Sequence, residues 1–198
     1  MASDPLPANV HISTHPCLRA KLSQLRSQST TSRETRVLVH DIATILGCEA
    51  LASGLLKTVS SGTDKTPLDI DYTTETIEPS NIALIPVLRS GLGMIEALQT
   101  LLPFSVPIHH LGLFRERTAL QAVEYFNRLP YLPVPPSPST TGTGTVLTTA
   151  AVNKAAAKLA ILLDPVIATG GNVVAAIKML REWGVQRVLL LSVLGWRA

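Results

Sequence analysis

Two kinds of periodicity divide this chain. In its first part, apolar residues return every third or fourth position. Leu18, Leu22 and Leu25 share one face of a helix predicted over Pro16 to Arg26. Pro16 sits in its first turn, where the missing N–H would have no helical partner anyway. Val37, Leu38, Ile42, Ile45 and Leu46 stripe a second helix, predicted from an N-cap at Ser32 through Glu49. Residues 57–67 carry neither period and read as loop. Leu68, Ile70 and Tyr72 alternate with polar neighbours, as on a half-exposed strand. Further along, short and mainly apolar runs take over. Ile82 to Val87, Val106 to Leu113, Leu159 to Asp164 and Arg187 to Val193 have strand length, and a strand covered on both faces reads this way. Helices are predicted between them at Leu92 to Leu102 and Val173 to Trp183, the second closed by Gly184 as its C-cap. Phe114 to Tyr131 reads as two short strands and their connection. Strands alternating with helices at this spacing predict an α/β fold with a mainly parallel twisted sheet flanked by helices.

Length and composition narrow this picture. The 198 residues suit one domain, and 46% apolar with 16% charged residues excludes general disorder. Mean hydropathy is high at +0.30. No run reaches the roughly 18 unbroken apolar residues of a membrane span, so the hydrophobicity predicts a buried sheet. Residues 1–14 are polar and read as an extended N-terminal arm; residues 15–198 form the domain. Within it, 132–153 is rich in Pro, Thr and Gly and is expected to be a flexible insertion. Seventeen Lys+Arg against 14 Asp+Glu leave +3, without the clustered basic stripe of a nucleic-acid binder. Aromatics, at 4%, are too few for a base-stacking surface. Membrane and nucleic-acid partners are therefore not expected. Cys17 and Cys48 have no CxxC partner and are read as free thiols. No basic, then apolar, leader follows Met1, so the expected location is cytoplasmic.

The chemistry gathers where strands run into helices. The sharpest segment is Asp164-Pro165-Val166-Ile167-Ala168-Thr169-Gly170-Gly171-Asn172. Small residues there let backbone N–H groups approach an anion, and the following helix adds positive potential. Thr169 offers a hydroxyl to a phosphate oxygen. Asp164, at the carboxyl end of its strand, is placed to accept hydrogen bonds from sugar hydroxyls. Gly-Gly alone would indicate only a tight turn; the acidic residue before Ala-Thr-Gly-Gly favours the ligand site. The segment lacks the Gly-Lys-Ser/Thr of a Walker A loop and the glycine spacing of a dinucleotide-binding turn. A second segment, Pro86-Val87-Leu88-Arg89-Ser90-Gly91-Leu92-Gly93-Met94, sets Arg89 on a glycine-flanked turn, where its fork could meet phosphate oxygens. A third puts Arg115 after the carboxyl end of a strand, in Gly112 to Glu116. His109-His110 is not read as a metal pair, because neighbours on a strand face opposite ways. Trp183 and Trp196 are read as packing residues.

These three clusters resemble those of the uracil phosphoribosyltransferases, a branch of the type I phosphoribosyltransferases. The resemblance begins at Asn9-Val10-His11-Ile12-Ser13-Thr14-His15-Pro16 and runs through Pro86–Met94, Gly112–Pro130 and Asp164–Asn172. The family's loop reads Asp-Pro-Met-Leu-Ala-Thr-Gly-Gly-Ser, and Asp-Pro marks the uracil branch. The resemblance implies the type I phosphoribosyltransferase fold with a hairpin hood over residues 114–130. It implies that residues 164–172 hold the ribose and 5′-phosphate of 5-phosphoribosyl 1-diphosphate. Arg89 and Arg115 would bind the diphosphate, and Asp164, Arg89 and Arg115 would carry the catalysis. It further implies Mg²⁺ bound mainly by the substrate, uracil as acceptor, UMP as product, a role in pyrimidine salvage, and a homodimer or higher homo-oligomer. The family's pattern departs here at Asn172, where Ser is usual, and at Glu116-Arg117-Thr118. After Leu194-Gly195 the family continues into a uracil-binding segment, and no residue of this sequence matches it. The chain therefore reads as an active uracil phosphoribosyltransferase whose base site a partner or the tail rebuilds, as a truncated non-catalytic binding or regulatory relative, or as a chain without a stable fold of its own.

Overall fold

The computed structural model describes residues 6–115, 122–130 and 157–195. The segment 132–153, Trp196 and the connection between the two hairpin strands lie outside these residues.

Two helices open the fold. α1 (Pro16–Leu25) starts with Pro16 in its first turn, as predicted. α2 (Ser32–Ala50) is capped one residue earlier than predicted. Thr31, not Ser32, is the N-cap: its hydroxyl accepts from the Glu34 N–H, and Glu34 accepts from the Thr31 N–H in return. This reciprocal capping box satisfies two N–H groups that the helix start leaves without partners. Lys21 Nζ lies 2.7 Å from an Asp41 oxygen and links the two helices. The helical path runs on through a π-helical turn, Leu51–Leu55. From Ser32 to Leu55 it is long and apolar enough to cross a membrane by length and composition. Leu38, Ile42 and Ala43 on its inner side are nevertheless buried in the protein's own core.

The next segment corrects the sequence reading. Residues 57–67 are largely strand: β1 (Lys57–Lys65) pairs antiparallel with β2 (Asp71–Glu78), with an irregularity between Ser60 and Gly62. Leu68 and Ile70, expected on a half-exposed strand, fall in the turn between them and are 82% and 61% exposed. The ribbon is exposed along most of its length, so no core imposes an apolar period on its sequence.

The main sheet then follows. β3 (Ile82–Leu88) leads into a 3₁₀ turn, Ser90–Met94, and α3 (Ile95–Leu101). The glycines of this turn delay the α-helix predicted from Leu92. The predicted strand Val106 to Leu113 begins only at Leu111; before it, Ile108 makes a single bridge to Leu84. β4 (Leu111–Arg115) and β5 (Ala122–Asn127) form the hairpin. β6 (Leu159–Leu163), β7 (Val166–Ile167), α4 (Gly171–Glu182), β8 (Arg187–Leu191) and β9 (Leu194–Gly195) complete the described chain. Gly184 closes α4 as predicted, its N–H bonding to the Arg181 carbonyl and that of Val185 to Leu180.

The five-stranded sheet has the order β5-β4-β3-β6-β8. β4, β3, β6 and β8 are parallel, and β5 is antiparallel at one edge. Alternate residues of the central strands enter two cores. Ala83, Ile85, Val87, Ala160 and Leu162 pack towards α4, with Val173, Ala176, Leu180 and Trp183. Ile82, Leu84, Leu159, Ile161 and Leu163 pack on the other face, with Ala43, Met94, Ala97 and Leu98. Double coverage explains why these strands read as unbroken apolar runs. It also leaves the carboxyl ends of the parallel strands as the edge where polar loops can meet a ligand.

Candidate active site

At that edge β3 and β6 lie side by side, with Pro86 opposite Leu163. The turn after β3 rests directly on the end of β6. A Cβ added at Gly91 would collide with the Leu163 carbonyl oxygen and lie 3.1 Å from Pro86 Cα. Only glycine lets the two backbones approach so closely. The Leu88–Arg89 peptide is cis. Arg89 is exposed beyond the turn.

Asp164 follows Leu163 and is 7% exposed. Its backbone N–H donates to the Leu191 carbonyl at 3.2 Å, tying it to β8. Burial pushes its carboxyl above the ordinary Asp range; hydrogen bonds from the Val166 N–H and the Ser90 side chain pull the other way. An ionised carboxylate in such a recess can only accept, which suits it to O–H groups.

The chain beyond Asp164 is braced before it reaches the helix. The buried Pro165 accepts at its carbonyl from the N–H groups of Val193 and Leu194, at 3.1 and 2.9 Å. Val166 and Ile167 then pair in parallel with Leu194 and Gly195. Ala168 and Thr169 are exposed. Gly170 turns the chain with a φ of +78°, a left-handed conformation that favours glycine, and becomes the N-cap of α4. Among the described residues no side chain caps this helix, and its first turn holds no acidic residue. Its leading N–H groups and positive dipole end are thus left for an anion. Gly171 is exposed and Asn172 half-buried in this first turn.

Arg115 is the last residue of β4 and pairs across the hairpin with Ala122. β4 is parallel to β3, with Gly112 level with Leu88. The Arg115 backbone therefore projects past the same carboxyl edge; its side chain lies outside the description. The structure thus gathers the backbones of all the sequence-predicted site residues at one end of the sheet. Sequence reasoning had not assigned a role to Ser90, although it stood beside Arg89. Nothing local in the sequence reveals how the turn is seated, since Gly91 meets the Leu163 carbonyl only when β3 and β6 pair.

The histidine pair is not part of this site. His109 packs edge-on against Trp183, with ring centroids 5.1 Å apart. Burial holds its pKa below the ordinary histidine value. Trp183 is buried, as expected of a packing residue, and its Nε1–H donates to the Pro130 carbonyl at 2.6 Å.

A mainly parallel sheet that presents a buried aspartate, an arginine turn and a glycine helix start at its carboxyl edge places the chain among the α/β proteins built to bind a ligand there. Comparison with known proteins narrows the class. The sequence profile of the uracil phosphoribosyltransferase family matches residues 12–198, and the chain belongs to that family. It is 32% identical over 187 residues to a Schizosaccharomyces pombe protein that bears the family's name provisionally, covering 94% of this chain and 69% of that protein. It is 32% identical over 185 residues to the uracil phosphoribosyltransferase of Roseiflexus castenholzii, covering 93% of this chain and 76% of that one. Among solved structures, the AQ2163 protein of Aquifex aeolicus superposes with a TM-score of 0.70 at 23% identity, over 92% of this chain and 74% of that one.

Proposed function

We propose that the chain transfers the phosphoribosyl group of 5-phosphoribosyl 1-diphosphate to uracil, giving UMP and diphosphate in pyrimidine salvage. The observation that carries this reading is the seating of the Arg89 turn against the Asp164 strand end, in a member of this family. In the reaction the C1–O bond to diphosphate breaks, the bond from uracil N1 to C1 forms, and N1 gives up its proton. The ribose becomes electron-poor as diphosphate leaves.

The residues divide this work along the substrate. Asp164 accepts from the ribose hydroxyls and holds the sugar's orientation. The loop from Pro165 through Asn172 carries the 5′-phosphate, with Thr169 donating its hydroxyl and the α4 start its N–H groups. Arg89 and Arg115 take the diphosphate, whose growing charge as it leaves makes those contacts strongest near the transition state. The described residues bring one carboxylate, Asp164, to this edge, and no group of three His, Cys, Asp or Glu among them is placed to hold a metal. This donor set fits Mg²⁺ bound mainly through substrate oxygens, with Asp164 as the protein carboxylate nearby. When bound, the ion would neutralise leaving-group charge. The hairpin would shield the site from water. Phe114, Tyr125 and Phe126 are exposed on it, which favours a second copy of the chain packing there in a homodimer or larger homo-oligomer. The exposed free thiols of Cys17 and Cys48 suit a reducing cytoplasm. Family membership favours the enzyme over the binding-only alternative.

The deciding assay is UMP formation from uracil, 5-phosphoribosyl 1-diphosphate and Mg²⁺ by the folded chain. Product above the protein-free blank is expected. A folded protein that forms none would overturn the reading.

A further inference from the structure

The candidate active site occupies the carboxyl edge of the sheet. A second recess lies at the opposite, amino edge. Its volume is about 330 Å³, and Lys57, Lys158 and Arg187 frame it, with Glu78 and Gln186 beside them. Backbone hydrogen bonds bring the cations together. The Lys158 N–H, just before β6, donates to the Asn81 carbonyl at 3.0 Å. The Arg187 N–H, at the start of β8, donates to the Lys158 carbonyl at 3.0 Å. Lys57 opens β1 and stands level with Glu78 across the ribbon. The Arg187 side chain is anchored as well, its Nη2 donating to the Leu55 carbonyl at 3.3 Å. Leu55 ends the π-helical turn, a kind of irregularity that is frequent at functional sites.

Three elements thus deliver three cations to one recess, against one carboxylate. Among the described residues none of the three cations forms an ion pair, not even Lys57 with Glu78. Like charges gathered in this way repel, and an anion between them removes the repulsion. The lining also indicates which anion. The planar fork of arginine matches phosphate geometry, and each ammonium acts as a point charge. Cations on separate elements suit a row of charged groups better than a single one. The volume is at the lower end of the roughly 300–1,000 Å³ of small-molecule sites. Among the described residues no aromatic side chain lines the recess, so a base would have nothing to stack on.

We propose that this recess is an anion site, separate from the active site, that binds a chain of linked phosphate groups. The proposal is independent of the reaction assigned above. Its test follows the backbone amide resonances of the ¹⁵N-labelled full chain as sodium tripolyphosphate is added. Leu159 and Val188, which adjoin Lys158 and Arg187, should shift together with a Kd below about 1 mM. Gly170 and Gly171 report the candidate active site in the same spectra, so binding there is read separately. The double variant Lys158→Ala, Arg187→Ala should weaken the response of Leu159 and Val188 roughly tenfold or more and leave that of Gly170 and Gly171 as it was. Lys158→Arg keeps the charge and should keep the wild-type response. The dispersion of each spectrum shows that the variant is folded. ATP carries the same phosphate chain and should bind about as tightly as tripolyphosphate. UMP formation by the double variant should stay within about twofold of wild type.

Amides of Leu159 and Val188 that stay unmoved at about 10 mM tripolyphosphate would overturn the proposal. So would equal Kd values in the wild type and the folded double variant. ATP binding roughly tenfold tighter than tripolyphosphate would overturn the phosphate chain as the recognised group. Loss of UMP formation in the folded double variant would overturn the separation from the active site. A wild type that forms no UMP would overturn the reaction alone, because the amide titration does not depend on turnover.

Discussion

The strand pairs β3–β6 and β1–β2 use the same backbone bonding in opposite surroundings. Every residue of β6, and β3 from Ile82 to Val87, is buried, while β1 and β2 are exposed along most of their length. The buried pair ends in the site, and its rigidity sets how accurately Arg89 and Asp164 are placed. The exposed ribbon is held by backbone pairing and by small polar contacts such as Ser61 to Thr74, at 2.9 Å. The difference teaches that pairing alone shapes a strand, whereas packing on both faces makes a strand end precise enough to carry chemistry.

Leucine truncation tests this contrast most severely. Leu162→Ala in β6 should cost about 2–5 kcal/mol in denaturant melts, because it opens a cavity in a fully buried face. A cost below about 1 kcal/mol would mean that the core relaxes and is not the rigid support described. Gly91→Ala comes next. The new methyl must displace backbone, so a stability loss of about 1–3 kcal/mol is expected. Turnover should fall roughly 100-fold, as measured by UMP formation. Retention of full turnover would separate the turn's seating from catalysis. Arg89→Ala should leave the melt unchanged and weaken 5-phosphoribosyl 1-diphosphate binding roughly tenfold or more in calorimetry. Equal affinity would remove Arg89 from the site. The smallest effect is expected for Leu68→Ala at the tip of the ribbon, within about 0.5 kcal/mol. A larger loss would show that the ribbon contributes more to stability than its exposure indicates.

The same contrast explains what the sequence discloses. β3, β6 and β8 are legible because each of their faces meets a core, so their residues are nearly all apolar. β1, reading Lys-Thr-Val-Ser-Ser-Gly-Thr-Asp-Lys, has no core to impose a period and is specified by its partner strand. The start of α2 was readable but misplaced by one residue; Thr31 followed by Glu34 at capping-box spacing is the signal that places it. The residues of the site are legible because glycines and an aspartate at strand-to-helix junctions are unusual locally. Their mutual placement is not, since Gly91 and Leu163 follow and end strands that meet only in the folded sheet.

Trp183 offers a further use. It is one of two tryptophans in the chain, it is buried, and its indole N–H is bonded to Pro130 at the base of the hairpin. Its ring also meets His109 just before β4. Indole emission depends on solvent contact and hydrogen bonding, so its fluorescence reports locally on whether the hairpin's root is docked against α4. Comparing the wild type with Trp183→Phe isolates that signal. A ligand titration followed by fluorescence would then show whether filling the proposed phosphate loop at one end of α4 is felt at the other.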